Sequence, residues 1–160
     1  GTLRLHSGSD ISNQQGNIVS AGSIDLNAAG TFNNQQGTLE AAQGQHIVTG
    51  SLDNTRGKIL STDNSGINVS VAQTLNNAQG TIGSNGSLTM TASDVSNSAG
   101  QLIGINDITI TANNLSNSEG NISAGAQLNL NTVNSLSNLK GTLQAKQIGI
   151  TAGSINNSEG

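Results

Sequence analysis

One short motif recurs along the whole chain and constrains its fold more than any other feature. The motif is φ-x-N-x-x-G, where φ is an apolar residue, and it occurs eight times at steps of 19 to 23 residues. Its asparagines are Asn13, Asn34, Asn54, Asn77, Asn97, Asn117, Asn138 and Asn157, and its glycines are Gly16, Gly37, Gly57, Gly80, Gly100, Gly120, Gly141 and Gly160. A fixed period near twenty residues predicts a solenoid, in which each turn of the chain stacks on the previous one.

Between the motifs, apolar residues alternate with polar ones. Ile or Leu stands two residues after each internal motif glycine, and most repeats then add an apolar-x-apolar-x-small stretch, as at Ile108, Ile110 and Ala112. Alternation with a period of two indicates strands, so each repeat is expected to hold about three short strands. One repeat cannot bury three apolar patches alone, but stacked repeats can. The sequence therefore predicts an all-β chain folded as a single-stranded parallel β-helix.

The Asn and Gly of the motif are expected to form a corner that every coil repeats. Glycine adopts positive φ without steric cost, and asparagine tolerates the same region and can bond to its own backbone. Stacked Asn amides are also expected to hydrogen-bond from coil to coil. These roles build the shape of the chain and involve no chemistry.

The organisation predicted is one β-helix segment over residues 1–160, with about seven full coils and a partial first coil. Residues 1–16 align without gaps on residues 22–37, and the chain ends on a motif glycine without a polar cap. Solenoids need caps to hide their open edges. We therefore expect a segment excised from a longer rod, roughly 35 Å long at about 4.8 Å per coil.

Composition narrows the classes of function. A net charge of −4 without a basic face argues against nucleic acid as a partner. The absence of Cys removes disulfides and thiolate metal sites. No apolar run approaches the roughly 20 residues of a membrane helix, so membrane insertion is not expected.

Two coils depart from the repeat. The longest, from Gly57 to Gly80, carries an insertion of two or three polar residues, and irregular loops are where solenoids usually place function. The candidate contact loop consists of Thr62, Asp63, Asn64 and Ser65, with a tolerated surface loop as the alternative.

The coil from Gly37 to Gly57 is the least regular. Gln45 stands where the pattern expects an apolar residue, so His46 and Val48 are expected to take the inward places. His6 is expected at the start of a loop with no second histidine near it, which argues against a metal site.

Charged residues are expected to face each other in successive coils. Arg4 and Asp25 occupy equivalent outward positions, and Glu119, Lys140 and Glu159 each precede a motif glycine. Exposed ion pairs contribute only about 0–1 kcal/mol each, so a role in stacking register is favoured.

Enzymatic activity and ice binding are the alternatives to a structural role. The aspartates occupy scattered coil positions, and no three of them converge with Arg56 or Lys58, so no catalytic residue, metal ligand or cofactor is assigned. Thr89 and Thr91 are expected to stack on Thr109 and Thr111, and these on Asn129 and Asn131 with Thr151 beyond. This array resembles the flat Thr-x-Thr arrays of ice-binding β-solenoids. An ice- or glycan-binding face is therefore the alternative function, and a polysaccharide-degrading enzyme is less favoured.

The unit φ-x-N-x-x-G-x-[IL]-x-[SAG], followed by [IL]-x-[IL]-x-[AT], resembles the haemagglutinin repeats of the filamentous haemagglutinin family over essentially all 160 residues. That family includes large bacterial adhesins and contact-dependent growth inhibition effectors exported by two-partner secretion. The resemblance implies a right-handed parallel β-helix stalk that is secreted to the surface of a Gram-negative cell and carries a binding region or toxin to another cell. It also implies two partners, the outer-membrane transporter during export and a receptor or glycan on the target cell. The function expected is a structural and adhesive filament segment rather than an enzyme.

Overall fold

The fold is described from a computed structural model that covers residues 1–160. The chain is all-β, and it contains no helix and therefore none able to cross a membrane. The strands are β1 Thr2–Ser7, β2 Ile11–Ser12, β3 Asn17–Ser20, β4 Ser23–Asn33, β5 Thr38–Ala41, β6 Gln45–Asp53, β7 Lys58–Ser61, β8 Ile67–Val71, β9 Thr74–Asn76, β10 Thr81–Ser84, β11 Leu88–Thr91, β12 Asp94–Ser96, β13 Gln101–Gly104, β14 Ile108–Ser116, β15 Asn121–Ala124, β16 Gln127–Ser137, β17 Thr142–Gln144, β18 Gln147–Thr151 and β19 Ser154–Asn156.

The strands form two sheets, and every pairing in them is parallel. The strand after each motif glycine belongs to a seven-stranded sheet in the order β17-β15-β13-β10-β7-β5-β3. The remaining strands form a twelve-stranded sheet that contains the path β1-β4-β6-β8-β11-β14. Partners are equivalent residues of successive repeats, as in Leu102 with Ile122. The predicted parallel β-helix, with about twenty residues per coil, is therefore confirmed.

The number of strands in a coil varies from the predicted three. One coil holds the separate strands β10, β11 and β12, whereas β4, β6, β14 and β16 each join the second and third strand positions. Register shifts between Ala28 and Thr31 and between Ala112 and Asn114 mark the join. In these coils a β-bulge takes the place of a turn, because one extra residue bends a strand without ending it.

The core is one continuous column of aliphatic side chains along the solenoid axis. It contains 28 buried apolar residues in a single cluster. Leu39, Ile59, Ile82, Leu102 and Ile122 form one such row, each fully buried and paired with its equivalent in the next coil. Each repeat therefore buries its apolar face only because its neighbours cover it on both sides.

The prediction that His46 and Val48 face inward in the coil from Gly37 to Gly57 is wrong. Gln45 pairs with Ile24 and Ile67 and is only 3% exposed, while His46 is exposed and Val48 is half-buried. Because side chains alternate between faces, turning His46 inward would have turned the fully buried Ile47 outward.

Gln45 meets only half of its hydrogen-bonding needs inside the core. Its Nε2 donates to the backbone carbonyl of Leu60 in the opposite sheet, and its Oε1 has no partner. The register of the strand thus overrides the polarity of one residue.

Candidate functional site

The motif asparagines form a continuous hydrogen-bonded ladder inside the solenoid. Each Nδ2 donates to the Oδ1 of the next motif asparagine at 2.7–2.8 Å, from Asn13 through Asn157. The same amino groups also reach backbone carbonyls; that of Asn117, for example, donates to Gly120 and Thr142 at 3.2 Å. The predicted coil-to-coil bonding of the amides is confirmed, because each motif amide from Asn34 to Asn138 both accepts from one neighbouring coil and donates to the other.

The residue at positive φ in each corner is the one before the motif glycine. These residues, with φ between 53° and 58°, are Gln15, Gln36, Arg56, Gln79, Ala99, Glu119, Lys140 and Glu159. The motif glycines themselves are not at positive φ, so the prediction that glycine supplies this conformation is wrong. Glycine is required for space: a Cβ on Gly100 would lie 2.6 Å from Asn97 Oδ1 and closer still to the backbone oxygen of Asn77.

A polar groove runs along the solenoid at the corner that precedes strands β4, β6, β8 and β11. Its floor is made by small residues at equivalent positions in successive coils, which are Ser23, Gly44, Gly66 and Ser87. One wall is the outward column Asp25, His46, Asn68 and Thr89, and the other includes Gln43 and Ser65. The floor column continues as Asp107 and Gln127, whose longer side chains lie beyond the groove. The groove therefore spans four successive coils and is lined mainly by polar residues.

The candidate contact loop touches this groove through one of its four residues, Ser65. It lies between β7 and β8, and Thr62, Asn64 and Ser65 are exposed while Asp63 is half-buried. Both the backbone N–H and the hydroxyl of Ser65 donate to the Asp63 carboxylate at 2.9 Å. Asn85 from the next coil donates to the carbonyl of Thr62 at 2.8 Å. The loop is thus held in one shape with Ser65 at the groove wall.

His6 and His46 approach the same carboxylate, contrary to the expectation for His6. His6 lies within β1 rather than at a loop start, and its Nε2 is 3.4 Å from Asp25 Oδ2. His46 Nδ1 is 3.4 Å from Asp25 Oδ1. No three His, Asp or Glu side chains are arranged to hold one metal ion. Sequence reasoning missed this cluster because it turned His46 inward; with the correct register, His46 follows Arg4 and Asp25 in one outward column.

The carboxylates of Asp25 and Asp53 have lowered pKa values. The hydrogen bond from His46 is the main cause at Asp25, with a further contribution from His6 and opposition from burial. At Asp53 burial raises the pKa, but hydrogen bonds from Thr55 and Gln35 together outweigh it. Both shifts favour the charged form, whereas a general acid needs a raised pKa, so neither carboxyl has the properties of a catalytic acid.

The predicted charge pairs form only in part. Arg4 Nε lies 3.8 Å from Asp25 Oδ2, and Lys140 Nζ lies 3.7 Å from Glu159 Oε2. Lys140 makes no ion pair with Glu119, so the alternating ladder has one contact rather than two.

Comparison with known families assigns the repeat. A family model described as the haemagglutinin repeat matches residues 1–68 and 64–132. The chain belongs to the haemagglutinin-repeat family. Comparisons with curated proteins and with solved structures gave no match. This membership confirms the resemblance to filamentous haemagglutinins.

The haemagglutinin-repeat family is a structural and adhesin family rather than an enzyme family, and its members are typically secreted surface adhesins. A β-solenoid of these repeats fits a segment of an adhesin filament. The family also belongs to the context of two-partner secretion.

The haemagglutinin-repeat chain presents another polar surface, which shares Asn68 and Thr89 with the groove wall and which we call the uncharged grid. It consists of nine outward side chains in two columns over successive coils, which are Asn68, Thr89, Thr109, Asn129, Ser70, Thr91, Thr111, Asn131 and Thr151. None of these side chains makes a hydrogen bond within the protein, and none is charged. The stacking predicted for the Thr and Asn residues is confirmed by the strand register.

Proposed function

We propose that this chain is a rigid filament segment of a large secreted bacterial surface exoprotein, and that it projects a receptor-binding or toxin region toward another cell. The observation that carries the proposal is the unbroken stack of core side chains and Asn amides through every coil. Each coil is bonded to the next along the whole axis, so bending would break many contacts at once. Residues 1–160 act as one segment of such a filament.

The proposed setting follows the family. The filament is exported by an outer-membrane transporter of two-partner secretion, and it is displayed at the surface of a Gram-negative bacterium. Its distal partner is a receptor or glycan on the target cell. The corners built by the motif Asn and Gly residues serve this role by bonding each coil to the next.

We propose further that the groove and the contact loop Thr62–Ser65 take part in adhesion. The groove has a floor of small residues and walls of polar side chains, and the Asp63 cap holds the loop in a defined shape. A preformed polar surface loses little conformational entropy on binding.

Binding of the fluorescently labelled chain to whole bacterial and animal cells tests the adhesive part of the proposal. Saturable binding is expected, and replacing Asn64 and Ser65 with lysine should abolish it. The matched control is Thr142→Lys, an exposed site in the other sheet. If the variant with both lysines still binds cells, the loop is not part of the contact surface. A well-folded chain that binds no cell would be a spacer without an adhesive role.

The uncharged grid supports a second candidate, an ice- or glycan-binding face. Its nine side chains have all their donors and acceptors free, and they repeat at the strand spacing of about 4.8 Å. Thermal hysteresis would demonstrate ice binding, and retention on a polysaccharide column would demonstrate glycan binding. Either activity should be lost in Thr89→Glu and kept in Thr142→Glu.

A further inference from the structure

The turn one coil beyond the contact loop packs directly against it. This turn, which we call the platform turn, consists of residues 85–87 between β10 and β11. The backbone N–H of Asn85 donates to the carbonyl of Ser61 at 3.0 Å, and its side-chain Nδ2 donates to the carbonyl of Thr62 at 2.8 Å. Two hydrogen bonds from one residue therefore fix the start of the loop.

Gly86 lets the platform turn approach the backbone in the middle of the loop. A Cβ on Gly86 would lie 2.4 Å from the carbonyl oxygen of Asn64 and 2.7 Å from the backbone nitrogen of Gly66. Gln43 and Asn106 occupy the equivalent position in other coils, so the repeat itself does not require glycine there. The glycine at this position is needed because the inserted loop lies so close to it.

The residue after the loop contacts the same turn. Gly66 is the one glycine in the left-handed region, with φ 87°. A Cβ on it would lie 2.7 Å from the carbonyl oxygen of Ser87, which also accepts from the Ile67 N–H at 2.9 Å. The platform turn therefore contacts the loop at its start, at its middle and just beyond its end.

The preceding coil bonds to the loop backbone at the two ends of the insertion. The Thr62 N–H donates to the Ala41 carbonyl at 3.1 Å, and the Gly66 carbonyl accepts from the Gln45 N–H at 3.1 Å. The N–H groups of residues 63 and 64 donate to no backbone carbonyl. The insertion has thus interrupted the regular coil-to-coil bonding, and the coil that follows it determines where the loop lies.

We propose that the platform turn positions the contact loop for adhesion, with Asn85 as the positioning residue, so that the contact surface is built by two coils. Asn85 is exposed, so its bond to Thr62 can be removed without disturbing the core. The effect on binding rests on the proposed adhesive role of the loop. The restraint on the loop belongs to the fold and is measured separately.

Asn85→Asp tests the restraint, because it keeps the shape of the side chain but turns the donor into a carboxylate that faces the Thr62 carbonyl. In the full chain, hydrogen exchange of the Ser65 amide, which donates to Asp63 within the loop, should become about two- to tenfold faster, as expected for the loss of one hydrogen bond. The matched control is Asn106→Asp, the same change at an exposed residue one coil further on, which should leave this exchange unchanged. Equal exchange of the Ser65 amide in the two variants would overturn the proposal.

Cell binding supplies a readout that a merely structural role would not change. With the urea midpoints of both variants equal to that of the wild type, Asn85→Asp should bind cells about two- to tenfold more weakly and Asn106→Asp should bind as the wild type does. Undiminished binding by Asn85→Asp, with its Ser65 exchange accelerated, would overturn the positioning role. If the wild-type chain binds no cell, the adhesive role fails, and the Ser65 exchange still decides whether the platform turn restrains the loop.

Discussion

At the scale of single residues, two neighbouring residues meet the two structural requirements of each corner. The residue before the glycine adopts the left-handed conformation, and this residue is Ala99 in one coil, Lys140 in another and Gln15 in a third. The glycine leaves room for the Asn ladder and for the backbone of the coil below. The motif reveals only the requirement for space, because several residue types adopt the positive φ whereas only glycine lacks a Cβ. The sequence therefore identifies the glycine of each corner but not the physical reason for it.

Opposite substitutions at one corner test this division. Gly100→Ala would place a Cβ 2.6 Å from Asn97 Oδ1, so it should lower the free energy of unfolding by about 2 kcal/mol or more. Ala99→Gly relieves an L-residue at φ 53°, so it should raise that free energy by about 0.5–1 kcal/mol after the entropy of the unfolded chain is counted. Urea unfolding measures both. If Ala99→Gly is the more damaging change, the corner does not work as described.

The Asn ladder has its own test in the middle of the chain. Asn97 is fully buried, accepts from Asn77 and donates to Asn117, so Asn97→Leu should cost about 2–4 kcal/mol of unfolding free energy. The control is Asn131→Leu, at an exposed side chain without a hydrogen bond, which should change stability by less than about 0.5 kcal/mol. Urea midpoints of the two variants would reveal the difference, and equal midpoints would show that the ladder adds no stability.

At the scale of strands, equivalent positions differ in how well they are satisfied. Thr49 lies on β6 opposite the bulge of β4, where its hydroxyl accepts from the Phe32 N–H and lies within 2.9 Å of the carbonyls of Gly30 and Ser51. Thr132 is equally buried in β16, but its hydroxyl has no partner. The Thr49 hydroxyl therefore stabilises a bulge, whereas burial of the unpaired Thr132 hydroxyl lowers the stability of the fold. Sequence periodicity cannot predict which of these hydroxyls finds a partner, because the difference depends on a register shift.

This contrast leads to paired Thr→Val substitutions, which keep side-chain shape. Thr49→Val leaves a buried N–H and carbonyl without a partner and should lower the free energy of unfolding by about 1–3 kcal/mol. Thr132→Val removes an unpaired buried hydroxyl and should be neutral or stabilising by up to about 1 kcal/mol. Differential scanning calorimetry would show a lower Tm for the first variant alone. A similar fall in Tm in both variants would mean that the Thr132 hydroxyl also has a hydrogen-bond partner.

At the scale of the whole molecule, repetition made the architecture predictable. The spacing of the motif and the period-two alternation predict the coils, their parallel stacking and rows such as Leu102 on Ile122. What repetition could not predict lies where coils differ, as at the inward Gln45 and the outward His46. There the register imposed by neighbouring coils overrides the character of the residue itself. The groove was missed for the same reason, since its floor is defined by small residues aligned across coils and not by any motif within one.

The central claim is that one continuous aliphatic stack holds the rod together, and a single buried charge tests it most directly. Ile122 is fully buried with Leu102 and Leu143 on either side, whereas the adjacent Ser123 faces outward. Protease resistance and β-type circular dichroism should be lost around the middle coils in Ile122→Asp and kept in Ser123→Asp. Full protease resistance and an unchanged spectrum in Ile122→Asp would contradict the continuous core.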